Sequence, residues 1–312
     1  MGKLFKLLIV ITVLFICISI YIVSKLFFGL VHMGLPWSKY IDLELRVLHN
    51  YRLNIVNKMD IKKGQKFLDL GGGIATTVNY ITQNLGPRGE IVIIEPDINC
   101  SKNVENNKDD GYPNYQLLKL EKEFISEDNP INYPDNYFDI TYTSRILCQN
   151  PNYIFLLKEL LRVTKVGGKI INSCFDHSSY RSSLTNDFLE SLYKLLFRIV
   201  HGESFNFLRN SNHIYKSMNI ETTDFYFENV LDTKVFTDNF YSNFKDQLKR
   251  NFNNDFVFNL IVSPLLDIFL SDVLSVKDNK FDYSVFDMGV IIGTKTKESN
   301  DFLKENHLLK KT

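Results

Sequence analysis

An acidic residue and a run of glycines follow a short apolar segment in the stretch KFLDLGGGIATTVNYI, residues 66–81. The acidic residue is Asp69, and the glycines are Gly71, Gly72 and Gly73. Glycines in a tight turn let a ligand approach the backbone, and the small Ala75 permits close packing of a following helix. The carboxylate of Asp69 suits a cationic group of that ligand, bound directly or through water. The stretch therefore predicts a ligand-binding turn between a strand and a helix.

A second acidic residue closes the next apolar segment, IVIIEPD. Glu95 lies twenty residues after Ala75, and a carboxylate there can accept hydrogen bonds from both hydroxyls of a ribose. A dinucleotide fingerprint GxGxxG that began at Gly71 would need glycine at position 76, where this chain has Thr76. The spacing therefore favours a nucleoside that carries a positive group, and it disfavours a nicotinamide-dependent oxidoreductase.

Strand and helix patterns alternate along the middle of the chain. Strands are predicted over 66–70, 90–94, 115–120, 137–143 and 169–174, and helices over 41–59, 76–84, 101–108 and 153–164. We expect the last helix to end at Gly167 and Gly168. The alternation predicts a doubly wound α/β domain, with a parallel sheet and helices on both faces. Ligands of such sheets bind at the carboxyl ends of the strands, where Asp69 and Glu95 fall.

The segment DLGGGIA is similar to the first motif of class I S-adenosylmethionine-dependent methyltransferases, whose usual form is (D/E)xGxGxG; here Ala75 replaces the third glycine. The segment IVIIEP resembles their second-strand motif. YPDNYFDITYTSRILCQNP and LLKELLRVTKVGGKIINSCF resemble the fourth- and fifth-strand region of the type 11 branch. The resemblance covers about residues 50–175. It implies a mostly parallel, seven-stranded, Rossmann-like methyltransferase sheet and methyl transfer from S-adenosylmethionine.

The same resemblance implies roles for single residues. The glycine-rich turn and Asp69 line the methionine end of S-adenosylmethionine, Glu95 holds its ribose, and Asp97 lies beside the adenosine. Many relatives carry a histidine-bearing segment after the fourth strand, where this chain has Arg145 and Gln149. The resemblance therefore predicts the cofactor site and leaves the chemistry of the methyl acceptor open.

A catalytic base is less evident. His177 and Tyr180 lie in FDHSSYR, just past the fifth predicted strand, and they could reach the active face; an ordinary loop is the alternative. A base is needed only if the acceptor must lose a proton. No cluster of Cys and His has the spacing of zinc ligands, so we predict no metal.

The N-terminal segment differs from the rest of the chain. Leu7 to Ser24 is eighteen residues without a charge, nearly enough for a helix to span the ~30 Å hydrocarbon layer. The segment is apolar on every face, which disfavours a buried soluble helix, and no small-x-small site follows it, which disfavours a cleaved signal peptide. We expect one transmembrane helix that leaves the following domain in the cytosol, where S-adenosylmethionine is made; the four cysteines show no disulfide pattern.

The C-terminal part is less regular. Strands are predicted over 227–236 and 286–296, and the apolar segment 256–276 has three interpretations: a lid over the substrate, core packing, or a helix on the bilayer surface. The predicted division is an anchor (1–31), a linker with a cap helix (32–60), an S-adenosylmethionine-binding core (61–175), C-terminal strands with a helical insertion (176–300) and a charged tail (301–312).

The composition restricts the partners. The chain has 36 Lys plus Arg and 36 Asp plus Glu, a net charge of zero, so no basic field predicts a nucleic-acid partner. An anchor would concentrate the protein near lipophilic molecules, so the predicted acceptor is a small lipid, sterol or quinone-like molecule. The alternative is a catalytically inactive, methyltransferase-like membrane adaptor that still binds the cofactor.

Overall fold

A computed structural model describes residues 48–110, 118–182, 202–232 and 284–306, together with positions 191, 194, 195, 198 and 264. Two compact units can be distinguished. One comprises Met1–Asp42, Arg181–Leu196 and Asp232–Ser284, and the other comprises Leu43–Tyr180, Phe197–Leu231 and Val285–Thr312. Nearly all of the described residues belong to the second unit, which holds the architecture given below.

Seven strands form one sheet in the order β3-β2-β1-β4-β5-β7-β6. The strands are β1 Lys66–Leu70, β2 Glu90–Ile94, β3 Leu118–Glu121, β4 Phe138–Ser144, β5 Thr164–Ser182, β6 Ile220–Asp232 and β7 Ser284–Lys295. β1 pairs in parallel with both β2 and β4, and the pairs β2–β3 and β4–β5 are parallel too. Chain order reverses between β1 and β4, so a switch point lies at their carboxyl ends.

The strand β7 runs against its two neighbours, β5 and β6: in the second pair, Thr223 contacts Ile292 and Asn229 contacts Asp287. Lys295 at the end of β7 contacts Thr164 at the start of β5, whereas Asp287 near the start of β7 contacts Ser179. Residue numbers therefore increase in opposite directions along the two strands, so β7 is antiparallel to β5. This agrees with the predicted mostly parallel, seven-stranded, doubly wound sheet.

Six α-helices are described: α1 His49–Met59, α2 Val78–Leu85, α3 Ile98–Asp109, α4 Tyr153–Val163, α5 Phe207–Ser217 and α6 Lys297–Glu305; a short 3-10 helix, Gly202–Asn206, precedes α5. An apolar cluster joins one face of the central strands to α4, and it includes Leu68, Val92, Leu156, Leu157 and Leu160. On the other face, α1 packs over β5, because Tyr51 hydrogen-bonds Ser173 at 2.7 Å and Lys169 donates to the Met59 carbonyl at 2.8 Å. Both faces of the parallel sheet are covered, as this class of sheet requires.

The strands β1 and β2 have the bounds that the sequence predicts, and β7 confirms the strand predicted over 286–296. The prediction for the end of α4 was wrong. α4 ends at Val163, and Thr164 is already extended and pairs with Phe138. Gly167 (φ 81) and Gly168 lie at a register shift between β4 and β5, where a Cβ on Gly168 would come 2.8 Å from the Asp139 carbonyl oxygen. Gly168 therefore permits close strand packing, and neither glycine ends the helix.

Two helices were not predicted, α5 and α6. Residues 301–305, assigned from the sequence to a charged tail, form the second half of α6. The helix begins with a capping box between Thr296 and Ser299, and Leu303 is fully buried. β6 begins at Ile220, seven residues before the predicted start, and it ends the sheet with Phe225 and Phe227 exposed.

Within the described ranges, no helix has the length and apolar character that crossing a membrane requires. The predicted anchor, residues 7–24, lies outside the described residues. The apolar segment 256–276 also lies outside them apart from position 264. Both assignments stay predictions.

Candidate cofactor-binding site

The glycine-rich turn joins β1 to α2 at the carboxyl edge of the sheet. Gly71 (φ 72) and Gly73 (φ 57) adopt the left-handed backbone conformation that favours glycine. A Cβ on Gly71 would lie 2.3 Å from the Ile146 side chain, and one on Gly72 would lie 2.7 Å from Ile93. The turn therefore needs residues without side chains for its conformation and for close packing, as the sequence predicts.

Ala75 has a second role beyond the predicted close packing. Its φ is 60, so this L-residue occupies the left-handed region, and it is fully buried. Its N–H donates to the Gly72 carbonyl at 2.9 Å, which closes the turn before α2. Glycine would adopt this φ more readily than alanine does, which gives a physical reason for the third glycine of the usual motif.

Glu95, one residue beyond β2, is tied to this turn. Its Oε2 accepts from the Gly73 N–H and its Oε1 from the Asp97 N–H, both at 2.8 Å. The side chain is buried, and burial raises the pKa of the Glu95 carboxyl while the two N–H donors act against that rise. The structure thus brings together the glycine turn and the acid that the sequence selected.

Asp97 caps α3. Its Oδ1 accepts from the N–H groups of Asn99 and Cys100 at 2.8 and 2.9 Å, the usual arrangement of an aspartate at a helix N-terminus. The sequence did not predict this capping, and the expected contact with adenosine stays a prediction.

Asp69 and Arg52 place opposite charges beside the turn. Asp69 is 2% exposed and is the register partner of Tyr142 on β4. Arg52 of α1 is 5% exposed, and its Nη1 donates to Thr77 Oγ1, at the start of α2, at 3.3 Å. Burial raises the pKa of Tyr142, with the Arg52 charge opposing and the Asp69 charge reinforcing this. Arg52 was missed from the sequence, because only tertiary packing brings α1 to the turn.

The carboxyl end of β4 and the adjoining middle of β5 form the neighbouring part of the site. Arg145 directly follows β4, has φ 64, and donates its N–H to the Ser173 carbonyl at 2.6 Å. Its guanidinium carbon lies 5.6 Å from the centre of the Phe175 ring. Thr143 Oγ1 is buried and has no hydrogen-bond partner among the described residues. Polar groups therefore converge beside the glycine turn.

His177 and Tyr180 lie on β5, not in a loop past it. The strand was predicted to end at Cys174, but it continues to Ser182 and pairs with β7, where the Asp287 N–H donates to Ser179 Oγ at 2.7 Å. The side chains of His177 and Tyr180 are outside the description, so their role as a base stays a prediction. In the described part of the chain, no group of three His, Cys, Asp or Glu side chains could hold a metal ion.

Solved structures share this architecture. The YcgJ protein from Bacillus subtilis superposes with a TM-score of 0.52 at 13% identity, over 80% of this chain and 100% of that chain. A putative methyltransferase (BH2331) from Bacillus halodurans gives 0.51 at 14% identity, over 78% and 99%. At this identity the likeness shows the fold alone, and that fold is the Rossmann-like one that the sequence predicts.

The family follows from the sequence match. The model of the ubiE/COQ5 methyltransferase family matches residues 42–240, so the chain belongs to that family. This confirms the predicted class of class I methyltransferases, with S-adenosylmethionine as the cofactor.

Curated relatives include two demethylmenaquinone methyltransferases. The protein of Geobacillus sp. (strain WCH70) is 30% identical over 123 residues, 39% of this chain and 50% of that protein. The protein of Staphylococcus carnosus (strain TM300) is 30% identical over 150 residues, 48% and 57% respectively. The chain thus spans about half the length of the curated relatives it matches.

Proposed function

We propose that this protein transfers a methyl group from S-adenosylmethionine to a lipophilic, quinone-like acceptor. The observation that carries the proposal is the Glu95 carboxylate, held 2.8 Å from the Gly73 N–H at the glycine-rich turn. An acid at the carboxyl end of a second strand suits the two ribose hydroxyls of a nucleoside. The acceptor class is supported by the names of the relatives, which are demethylmenaquinone methyltransferases.

The residues around the turn fit the rest of the cofactor. Its methionine end carries one ammonium and one carboxylate, and the buried Asp69 and Arg52 offer one charge of each sign. Two exposed apolar side chains, Ile98 (62%) and Phe124 (65%), follow the ends of neighbouring strands β2 and β3, and they suit the adenine ring. Thr143 Oγ1 offers a further hydrogen bond at the same edge of the sheet.

S-adenosylmethionine, when bound, supplies a methyl group that is already electrophilic. The chain's main contribution is therefore to hold the two reactants in line, which in general lowers a barrier by ~7–11 kcal/mol. The acceptor forms its new bond to the methyl carbon as the bond to sulfur breaks, and it loses a proton where the attacking atom carries one. His177 and Tyr180 are the candidates for receiving that proton.

The test of the proposed function uses the full chain. Calorimetry with S-adenosylhomocysteine measures the cofactor site, and methyl-labelled S-adenosylmethionine with a short-chain demethylmenaquinol measures transfer. We expect saturable binding and a labelled quinol. Absence of binding would overturn the proposal. Binding without transfer to the quinol or to a lipid extract would favour the alternative, an inactive adaptor that retains the cofactor site.

We also propose that residues 7–24 anchor the protein in a membrane, with the methyltransferase domain in the cytosol. The proposal is supported by eighteen uncharged residues in sequence and by the lipophilic class of acceptor. Asn99, exposed at the start of α3, begins the glycosylation sequon Asn-Cys-Ser and serves as a reporter. When the chain is synthesised with sealed microsomes, a cytosolic domain remains unmodified and open to added protease. A protected, glycosylated domain would contradict this topology.

A further inference from the structure

Arg145 and Phe175 form a pair that the proposed cofactor contacts leave unused. The guanidinium carbon lies 5.6 Å from the centre of the phenyl ring, and both side chains are half-buried. A guanidinium within about 6 Å of a ring centre is attracted to the face of the ring. The contact therefore orients a planar cation just past the carboxyl end of β4.

The pair lies next to the glycine turn. Ile146, the residue after Arg145, packs so closely on Gly71 that a Cβ there would come within 2.3 Å of it. The two segments leave neighbouring strands at the same level, because Leu70, which precedes Gly71, is the register partner of Thr143, two residues before Arg145. Arg145 is thus the neighbour in sequence of Ile146, which packs on the turn. Its guanidinium lies beside Phe175 of β5.

The backbone of Arg145 has an unfavourable conformation. Its φ of 64 is in the left-handed region, which is costly for a residue with a Cβ and nearly neutral for glycine. The bond from its N–H to the Ser173 carbonyl, 2.6 Å long, holds this conformation. A strained residue that keeps a large charged side chain beside a ligand site points to a role for that side chain.

The chemistry of the pair selects an acceptor. A guanidinium binds oxygen anions well, and its plane stacks on aromatic rings. The charge of Arg145 also acts to lower the pKa of Tyr142, although burial dominates and raises that pKa. An aromatic ring with an ionised hydroxyl matches both properties.

We propose that Arg145, oriented by Phe175, binds the ionised oxygen of the quinone-like methyl acceptor. This inference rests on the proposed function, because it presumes a methyl acceptor beside the glycine turn. Arg145 contacts the acceptor oxygen, and Phe175 is a positioning residue that holds the guanidinium in its plane.

The experiment compares two probes of similar shape and different charge. They are 2-hydroxy-1,4-naphthoquinone, ionised at neutral pH, and its neutral 2-methoxy counterpart, each titrated into the complex of the full chain with S-adenosylhomocysteine. We expect the wild-type protein to bind the anion about tenfold or more tightly than the neutral probe, as a charge-assisted hydrogen bond implies.

Arg145→Gly removes the cation and should fold well, because relief of the strained φ offsets the added freedom of the unfolded chain. We expect this variant to keep its melting temperature and its affinity for S-adenosylhomocysteine while losing the preference for the anion. Phe175→Leu should lower the preference about threefold. Asn219→Gly, which replaces another residue of positive φ (55) in an exposed turn, is the matched control and should leave the preference unchanged.

The outcomes separate the two proposals. If the wild-type protein fails to bind S-adenosylhomocysteine, the proposed function is wrong and this inference falls with it. If it binds S-adenosylhomocysteine but does not discriminate between the probes, or if Arg145→Gly retains the discrimination, the assignment of Arg145 is overturned and the methyltransferase site stands.

Discussion

The two ends of the sheet hold buried charges in different ways. At the amino end, Arg162 is 1% exposed and donates to the carboxylates of Glu159 and Asp135 at 2.7–2.8 Å. Lys295 is fully buried there, and its Nζ donates to Asn136 Oδ1 at 2.8 Å and to a backbone carbonyl at 2.9 Å. These charges bind one another and the backbone, which is the arrangement that a structural network requires.

The carboxyl end places its charges around the glycine-rich turn, the proposed cofactor site. The glycines are surrounded by Asp69, Glu95 and Arg52. The backbone there adopts conformations that are unfavourable for residues with a side chain. Ala75 and Arg145 have positive φ, whereas the amino end uses asparagine at φ 59, a residue that tolerates this region. The contrast supports the proposal that the amino end stabilises the sheet and that the carboxyl end binds the cofactor, because backbone strain often accompanies functional sites.

Arg162→Ala should give the largest effect and test the structural end. It leaves the buried Glu159 and the half-buried Asp135 without this cation, so the free energy of unfolding should fall by about 3–5 kcal/mol in urea titrations. The affinity of the folded protein for S-adenosylhomocysteine should not change. Lys304→Ala, which breaks an exposed pair with Asp301, is the control and should change stability by less than about 0.5 kcal/mol. A loss of ligand affinity in folded Arg162→Ala would show that the amino end also affects ligand binding, contrary to the comparison.

Lys295 should make stability depend on pH. Burial lowers the pKa of its ammonium from 10.5 to about 8, so between these values the unfolded chain binds more protons than the folded protein. The free energy of unfolding should therefore rise with pH across this window, by at most about 3 kcal/mol. Lys295→Met should remove the rise in urea titrations at pH 7.5, 9 and 10.5. A wild-type curve that stays parallel to that of the variant would contradict the assignment.

Glu95→Gln tests the ligand end. The substitution keeps the size of the side chain and removes its charge, so binding of S-adenosylhomocysteine should weaken by about 1.5–3 kcal/mol, or about ten- to 150-fold in affinity. Glu90→Gln, on the same strand at the amino end, is the matched control, because Glu90 accepts from the Tyr137 hydroxyl and lies far from the turn along β2. Calorimetry measures the affinity of both variants. If Glu95→Gln and Glu90→Gln lose the same affinity, the carboxyl end is not the specific site of ligand binding.

Asp69→Asn should give the smallest effect, about 1 kcal/mol in affinity for S-adenosylhomocysteine, since a neutral amide keeps hydrogen bonding to the ammonium and loses the charge. Affinity for 5′-methylthioadenosine, which lacks the amino-acid end, should stay the same. If the melting temperature falls and the affinity in the folded fraction does not, Asp69 serves the turn and not the ligand.

The parts of the fold that follow local rules could be predicted from the sequence. β1 and β2 are apolar runs closed by acidic residues and turn glycines, and both have the predicted bounds. Glu95 was selected by its distance from the glycine turn, and the structure brings the two together. Periodicity and spacing sufficed here because the determining residues are close in sequence.

The parts that depend on distant contacts could not be predicted. Arg52 reaches the turn through the packing of α1 on α2, and nothing in its own helical pattern reveals that contact. β5 was cut short at Cys174 because FDHSSYR lacks an apolar alternation; β7, more than a hundred residues later, pairs with its end. α5 is mostly polar in sequence, and the burial of Phe207, Leu208 and Tyr215 defines its packed face.

The edge strand β6 bears on self-association. It has thirteen residues, and an edge of that length offers a row of backbone groups to any other strand. Its sequence, IETTDFYFENVLD, has no basic residue and contains four acidic ones, Glu221, Asp224, Glu228 and Asp232. Lys58 of α1 pairs with Asp224 at 2.6 Å, so the strand keeps an excess of negative charge. Two molecules meeting edge to edge would bring like charges together, so repulsion protects the exposed Phe225 and Phe227 from forming an intermolecular sheet. Concentrated salt shortens the screening length to a few ångströms and so weakens that repulsion. We therefore expect added salt to promote aggregation through this edge.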